Sequence, residues 1–493
     1  MPRPYPNPRA LALFLGPMIG ACALFVMWQA GGDPEAAITL GVTLWVIIWW
    51  IFEPIPIPAT SLLPMSLLPL FGIVSTKELG GAYGNPLVLL MLGGFLLASA
   101  LERSGAHRRI ALFMVRAFGG SNSRRLVFGF MCASAFLSMW ISNTSTTLML
   151  LPVALAALEQ TEDDNLAGPL LLGIAYAASI GGIGTPIGTP PNLVFMGVYT
   201  EVTGAAISFG QWMVWAIPVV LVLLPIAAFW ITRGVSKQGG AALPEPGQWT
   251  KAERRVLIVF SVTALLWITR RGPFGGWSEW VSLPYANDAM VAFLAVVALF
   301  IIPSGKINED GEQERLLDWA TAERIPWGML LLFGAGITIA TGFINSGLSS
   351  SIGQALENLS TLPLLLMIAS ICLAVTFLTE VTSNLATTTL LMPILAAAAM
   401  GAGADPALFM IPAAMSASCA FMLPVATPPN VITFATGRFS IQTMVREGVV
   451  LNLVGVIVIS CACVLLLKDL CSNPAKLLSD GCWLMISVPP CAI

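Results

Sequence analysis

Histidine is nearly absent from this chain: His107 is the only one in 493 residues, which removes most of the material for zinc centres and for acid–base triads. Charge is scarce too, at 10% of residues against roughly 25% in a soluble protein. The formal net charge is −3, and no basic face suggests a nucleic-acid partner. The nine cysteines are scattered singly, without a CxxC pair or a metal-ligand spacing. No HExxH motif or mid-membrane aspartyl pair is present, so an integral-membrane enzyme is disfavoured and no organic cofactor is expected.

Hydrocarbon takes the place of these groups. Hydrophobic residues make up 57% of the chain, gathered in repeated runs long enough to cross a bilayer. The apolar periodicity places spans near 11–30, 36–52, 57–73 and 86–102, with the first read as a membrane helix rather than a signal peptide. An amphipathic arm follows to about residue 120. Further segments are expected at 125–160, 166–198, 208–232, 254–270, 287–303 and 326–345. A second arm at 345–361 leads into segments at 362–401, 405–435 and 446–467.

Within this hydrocarbon one polar stretch occurs twice. Trp140-Ile-Ser-Asn-Thr-Ser-Thr-Thr-Leu-Met-Leu-Leu-Pro152 is echoed 241 residues later by Val381-Thr-Ser-Asn-Leu-Ala-Thr-Thr-Thr-Leu-Leu-Met-Pro393. Each copy precedes a second duplicated piece, Gly188-Thr-Pro-Pro-Asn192 and Ala426-Thr-Pro-Pro-Asn430. Polar breaks in membrane segments are tolerated where they line a cavity or are buried in protein. Matching breaks in two halves point to the binding site of a transporter.

The arms differ in charge. The first carries Arg103, Arg108, Arg109, Arg116, Arg124 and Arg125; the second has no Lys or Arg. The positive-inside rule makes the first arm cytoplasmic and the second external. The expected fold is therefore an all-α polytopic membrane protein of about eleven spans plus two re-entrant hairpins, in two inverted repeats, with the N-terminus inside and the C-terminus outside. The expected layout is an N-terminal segment 1–35, a first repeat 36–232, a cytoplasmic loop 233–253, a second repeat 254–468 and a tail 469–493. Arg270 and Arg271 fall outside, a minor violation. In the tail, Cys471, Cys482 and Cys491 face an external compartment where pairing is open, and no bridge is assigned.

A hairpin tip presents helix N-termini that favour an anion, and unwound carbonyls and hydroxyls that suit a hard monovalent cation. No Lys or Arg lies near the motifs to neutralise a dianion, so bound cations are the obvious substitute. Isolated Ser and Thr in membrane helices more often bond back to the preceding turn, an alternative that stays open for Thr146, Thr147, Thr387 and Thr388. Glu380, beside the second motif, reads either as a direct sodium or proton ligand or as a paired acid at a hairpin's end. Glu53 reads as interfacial, Trp45, Trp49 and Trp50 as belt and packing residues, and the run Glu309 to Glu314 as a solvated loop.

The two duplicated motifs at matching separation resemble the divalent anion/sodium symporter family, over roughly residues 35–468. The resemblance implies an elevator-type homodimer in the cell (inner) membrane that imports dicarboxylates, tricarboxylates or sulfate with sodium. By that resemblance Ser138, Ser142, Asn143 and Gly188 form the first sodium site, and Thr379, Thr382, Asn384 and Ala426 the second. Ser142, Asn143 and Thr144 meet one substrate carboxylate, while Ser383, Asn384, Thr189, Thr427 and Pro428 complete the pocket. Leu385 departs from the pattern, standing where the first motif has Thr144. C4-dicarboxylates are the expected cargo. A sodium-independent exchanger of the same architecture, or a citrate or sulfate symporter, are the alternatives.

Overall fold

The computed structural model describes residues 8–119, 122–160, 165–236, 247–272, 275–307, 311–355 and 363–467. The expectations for the tail cysteines, for Glu309 and for the far end of the second arm lie outside these residues.

The described chain is mostly α-helical. Seven helices are long and apolar enough to cross a membrane: Arg9–Gln29, Pro34–Phe52, Thr76–Ser104, Phe209–Ile231, Trp327–Asn345, Asn384–Gly401 and Ile441–Leu466. Others, such as Ala167–Gly182 and Ala407–Ala417, are apolar but shorter. Local chemistry sets their ends. Asp33 caps Pro34–Phe52 by accepting from the Glu35 N–H, and Thr250 with Glu253 forms a capping box for Lys251–Ile268. The expectation of an all-α chain needs one correction. Pro303–Ile307 and Gln313–Arg315 pair as a short antiparallel ribbon. Within the ribbon Glu314 lies 3.9 Å from Arg103, which also pairs with Asp318 beyond the acidic run; the run's other described residues are exposed.

Each duplicated motif lies at a turn between two helices. Ser123–Ser138 leads into Asn143–Glu159, and Leu364–Thr379 into Asn384–Gly401. Each Thr-Pro-Pro-Asn likewise starts the second half of a broken helix, Pro190–Thr203 after Ala167–Gly182 and Pro428–Phe434 after Ala407–Ala417. The prolines occupy the first turn, where the missing N–H would have had no helical partner in any case. The halves cross over. Pro428–Phe434 packs on Ala167–Gly182 and Asn143–Glu159, while Pro190–Thr203 packs on Ala407–Ala417 and Asn384–Gly401.

Arginines tie separate segments together. Arg109 donates to Glu253 Oε1 (3.0 Å) and to the carbonyls of Gly247 (2.9 Å) and Gln248 (2.7 Å), with its guanidinium 4.7 Å from the Trp249 ring centre. Arg124 donates to the Val235 carbonyl, Arg255 to that of Pro303, and Arg233 pairs with Glu447. Arg270, the residue that strained the charge rule, is buried against Asp288 at 2.5 and 3.1 Å, so its charge is matched where it stands. Trp49 donates to the Ala12 carbonyl and with Trp45 packs on the first helix at Gly16, while Trp50 is buried on the other side, against Thr382 and Thr387.

The arms are Ala106–Gly119 and Leu348–Ala355; the first packs on Ser123–Ser138, the helix before its motif, and the second on Asn384–Gly401, the helix after its motif, each where glycine faces glycine. A Cβ on Gly129 would come within 2.8 Å of the Gly119 Cα, and one on Gly401 within 2.3 Å of the Gly353 Cα.

Candidate functional site

At both tips a hydroxyl and an asparagine bond across the turn. The Ser138 hydroxyl donates to Asn143 Oδ1 in a short bond, and the Thr379 hydroxyl to Asn384 Oδ1 at 2.8 Å. Ser142 caps the first motif helix by accepting from the Ser145 N–H at 3.1 Å. Ser383 occupies the same position in the second without a side-chain cap bond.

The first break is pressed against this clasp. A Cβ on Gly182 would lie 2.9 Å from Asn143 Oδ1 and 3.2 Å from Thr189 Cβ; one on Gly188 would lie 2.5 Å from the Gly182 carbonyl oxygen and 3.0 Å from that of Ser138. Glycine is required here by contact, not by backbone angle. The structure thus gathers Ser138, Asn143, Thr189 and Gly188 around oxygens suited to a hard cation. Thr144 sits half-buried on the first turn of the same helix.

The second half is gathered less completely. Thr379 and Asn384 meet, and the Thr379 hydroxyl also lies 3.0 Å from the Ala417 carbonyl. The Thr382 hydroxyl turns elsewhere, to the Leu378 carbonyl (2.8 Å) and to Thr387 (2.5 Å), beside a cleft formed with Ile47, Trp50 and Ile51. Ala426 ends a tight turn, Pro424–Ala426, with its N–H on the Leu423 carbonyl. Thr427 accepts from the Asn430 N–H at 3.4 Å, and Pro428 is exposed at the opening of that helix. Leu385 is half-buried and packs against both of the molecule's apolar clusters. Thr147 and Thr388 bond back to the carbonyls of Asn143 and Asn384, both at 2.8 Å, so their hydroxyls serve their own helices.

Several residues that build the site had not been singled out. Asn192 donates to three carbonyls of the first break, Gly182 (3.0 Å), Ile183 (3.3 Å) and Thr185 (2.7 Å). Asn430 donates to two of the second, Ala420 (2.9 Å) and Leu423 (3.0 Å). Both lie in the duplicated Thr-Pro-Pro-Asn, so duplication was the available signal. The helix after each broken helix also reaches in: Trp212 Nε1 donates to the Ile183 carbonyl at 2.9 Å, and Asn452 Oδ1 accepts from the Phe421 N–H at 3.3 Å. A polar atom at one position of an apolar helix gave no comparable signal.

Tip and break are joined differently in the two halves. In the first, the Thr185 hydroxyl donates to the Met139 carbonyl in a short bond. In the second, the Glu380 carboxylate accepts from the N–H groups of Met422 (2.8 Å) and Leu423 (2.9 Å) and from Asn452 Nδ2 (2.7 Å). The carboxylate is therefore engaged with neutral N–H donors at the end of its helix.

Comparison with known proteins identifies the family. The family model described as the sodium:sulfate symporter transmembrane region matches residues 9–471. A sodium-dependent dicarboxylate transporter, SdcS, of Staphylococcus saprophyticus is 38% identical over 471 residues, covering 91% of this chain and 89% of that protein. SdcS of Staphylococcus aureus strain MRSA252 is 38% identical over 479 residues, covering 93% and 91%. Two solved structures share the fold at low identity. The Alcanivorax borkumensis YdaH transporter aligns with a TM-score of 0.56 at 15% identity, over 85% of this chain and 97% of that one. Neisseria gonorrhoeae MtrF aligns with a TM-score of 0.54 at 13% identity, over 80% and 83%. With a family match across nearly its whole length and relatives this similar, the chain belongs to the sodium:sulfate symporter family, the divalent anion/sodium symporters that its duplicated motifs resemble.

Proposed function

We propose that this protein is a sodium-driven importer of divalent organic anions, with C4-dicarboxylates such as succinate, fumarate or malate as cargo. One observation carries the reading: the same hydroxyl–asparagine clasp closes both duplicated tips. An asparagine side chain offers an acceptor and two donors. Its Oδ1 faces the cation side with the hydroxyl, while its amide hydrogens and the N–H groups of the helix start suit a carboxylate. Anion and cation then occupy adjoining sites, and each stabilises the other. Sodium and dicarboxylate specificity are carried over from relatives at 38% identity whose names state both.

In this reading residues 36–232 and 254–468 are inverted repeats joined by 233–253, with about eleven spans and two re-entrant hairpins. The crossed packing of the broken helices supports a paired, antiparallel core. Arginines 103, 109, 124, 233 and 255 bond to loops that this topology places at one end, so the positive-inside rule makes that end cytoplasmic. Two copies form a dimer, and the tips and broken helices travel as an elevator relative to the remaining helices.

Charge dictates the coupling. Moving one charge through 100 mV is worth about 2.3 kcal/mol, so importing a dianion against a negative interior costs roughly 4.6. Import requires driving cations, and more than two make it inwardly electrogenic. Labelled succinate uptake into proteoliposomes tests this, with an inward sodium gradient and a negative-inside potential both accelerating it. Uptake driven by internal dicarboxylate alone, indifferent to sodium and potential, would identify an exchanger instead. Competition by citrate and sulfate ranks the cargo.

A further inference from the structure

We infer that Glu380 is a positioning residue, an internal anion seated in a cradle of backbone N–H groups that sets the shape of the second break and so the sodium affinity of that half. The inference rests on the sodium-driven reading above.

The backbone of the two breaks explains why a carboxylate is needed at one tip and not at the other. In the first break Ile183 and Gly184 keep helix-like bonds, their N–H groups on the carbonyls of Ile180 (3.2 Å) and Gly181 (2.8 Å). The carbonyls there are taken by Asn192 and Trp212. The second break unwinds further. Its successive N–H groups at Phe421, Met422 and Leu423 leave the helix and point to side chains, the first to Asn452 and the other two to Glu380. Successive backbone N–H groups in an irregular turn form a nest for an anion. Here the anion is the chain's own. The residue at the matching place in the first tip, Met139, is uncharged and packs on Gly184, where an added Cβ would meet its Cε at 2.8 Å.

The same placement argues against direct cation ligation. Both Glu380 oxygens already accept backbone bonds, and one takes the Asn452 amide as well. Glu380 is 3% exposed and immediately follows Thr379, whose hydroxyl joins Asn384. Moving the carboxylate thus moves both the tip and the carbonyls that face it.

Glu380→Gln retains the volume but supplies an amide donor where Met422 or Leu423 also donates. The expected result is a half-saturating sodium concentration raised about tenfold, with succinate KM at saturating sodium changed less than about threefold. Glu380→Gln with Asn452→Asp returns a carboxylate to the cradle, accepting from Phe421 and from the new amide. The amide still faces one of the Met422 and Leu423 N–H groups, so sodium activation should recover in part, to between Glu380→Gln and wild type. Sodium-dependent thermal stabilisation of the purified proteins gives the same ranking without transport, and monodisperse elution shows that each variant is folded. A sodium-responsive wild type with unchanged activation in Glu380→Gln overturns the inference alone. So does equal loss of sodium and succinate affinity without rescue by the double variant. A wild type indifferent to sodium in both assays overturns the sodium-driven reading and this inference with it.

Discussion

The first and second breaks start from the same residues, Thr-Pro-Pro-Asn, and are held by different neighbours. In the first, one asparagine spans three carbonyls and a tryptophan doubles one of those bonds. In the second, the asparagine spans two carbonyls, and a glutamate and a second asparagine collect the freed N–H groups. What is common to both is the hydroxyl–asparagine clasp at the tip; what differs is how the backbone behind it is satisfied. The duplicated motif keeps its clasp while the support behind it has diverged.

The strongest test of that equivalence is the clasp itself. Asn143→Ala and Asn384→Ala should each reduce uptake by about a hundredfold or more at matched membrane levels, because each removes an anion donor and a cation acceptor worth about 1.5–3 kcal/mol apiece. Near wild-type uptake in either variant would break the comparison at its centre.

The arms extend the contrast. Among the described residues, the first arm alone has a buried ion pair, Arg109 with Glu253, both side chains under a tenth exposed. Burial pushes the Glu253 carboxyl up, but the Arg109 guanidinium and the Thr250 bonds outweigh it and hold it below its ordinary value of 4.5. A depressed carboxylate contributes stability that is complete above the unfolded value and is lost as pH falls through the folded one. Arg109→Ala leaves that carboxylate buried without its partner and should cost about 3–5 kcal/mol at pH 7. The gap from wild type should narrow as pH falls below about 4.5. Thermal unfolding in detergent across pH measures both.

A smaller effect separates the two braces. Asn192→Ala strips the first break of three bonds and Asn430→Ala the second of two, at about 1–3 kcal/mol for each carbonyl left unsatisfied. Trp212 still covers Ile183 in the first variant. The two losses in melting temperature should therefore be similar, and a much larger loss at Asn430 would mean that Glu380 cannot hold its break alone.

Leu385 gives the smallest effect. Threonine there restores the hydroxyl of the other tip but removes apolar packing, about 0.8 kcal/mol per buried methylene. Leu385→Thr should tighten succinate binding severalfold relative to citrate and sulfate, with a modest fall in melting temperature. Unchanged selectivity with the same fall would assign Leu385 to packing, the role suggested by its contacts with both apolar clusters.

Much of this was legible in the sequence because membranes make polar residues conspicuous. Asn143 and Asn384 stood out against hydrocarbon and recurred in the repeat, while Ser138 and Thr379 came from the family resemblance; the repeat alone did not tell them from the back-bonding Thr147 and Thr388, which it duplicates as well. Thr382 shows the limit. Its neighbours in the chain reach the clasp while its hydroxyl turns to Thr387, and the rotamer that decides this leaves no trace in the sequence. Glu380 was visible as an intramembrane acid, but its partners are mostly backbone N–H groups, which every sequence possesses and none displays. Trp212 and Asn452 act across long stretches of chain for the same reason. The ribbon of Pro303–Ile307 with Gln313–Arg315 was concealed by its short, polar, Pro- and Gly-containing composition.

The glycine crossings bear on wear rather than on binding. Helices that interlock side chains are keyed in register, and shifting one past another means lifting each ridge out of its groove. Where Gly119 meets Gly129 and Gly353 meets Gly401, backbone rests on backbone and there is no ridge to lift. Such a contact sets a close spacing between arm and helix; between Gly353 and Gly401, far apart in the chain, it also leaves sliding cheap, whereas the short link from Gly119 to Ser123 pins the first pair. In an elevator the second contact would be a bearing surface and the first a fixed joint, in arms that share neither charge nor clamps.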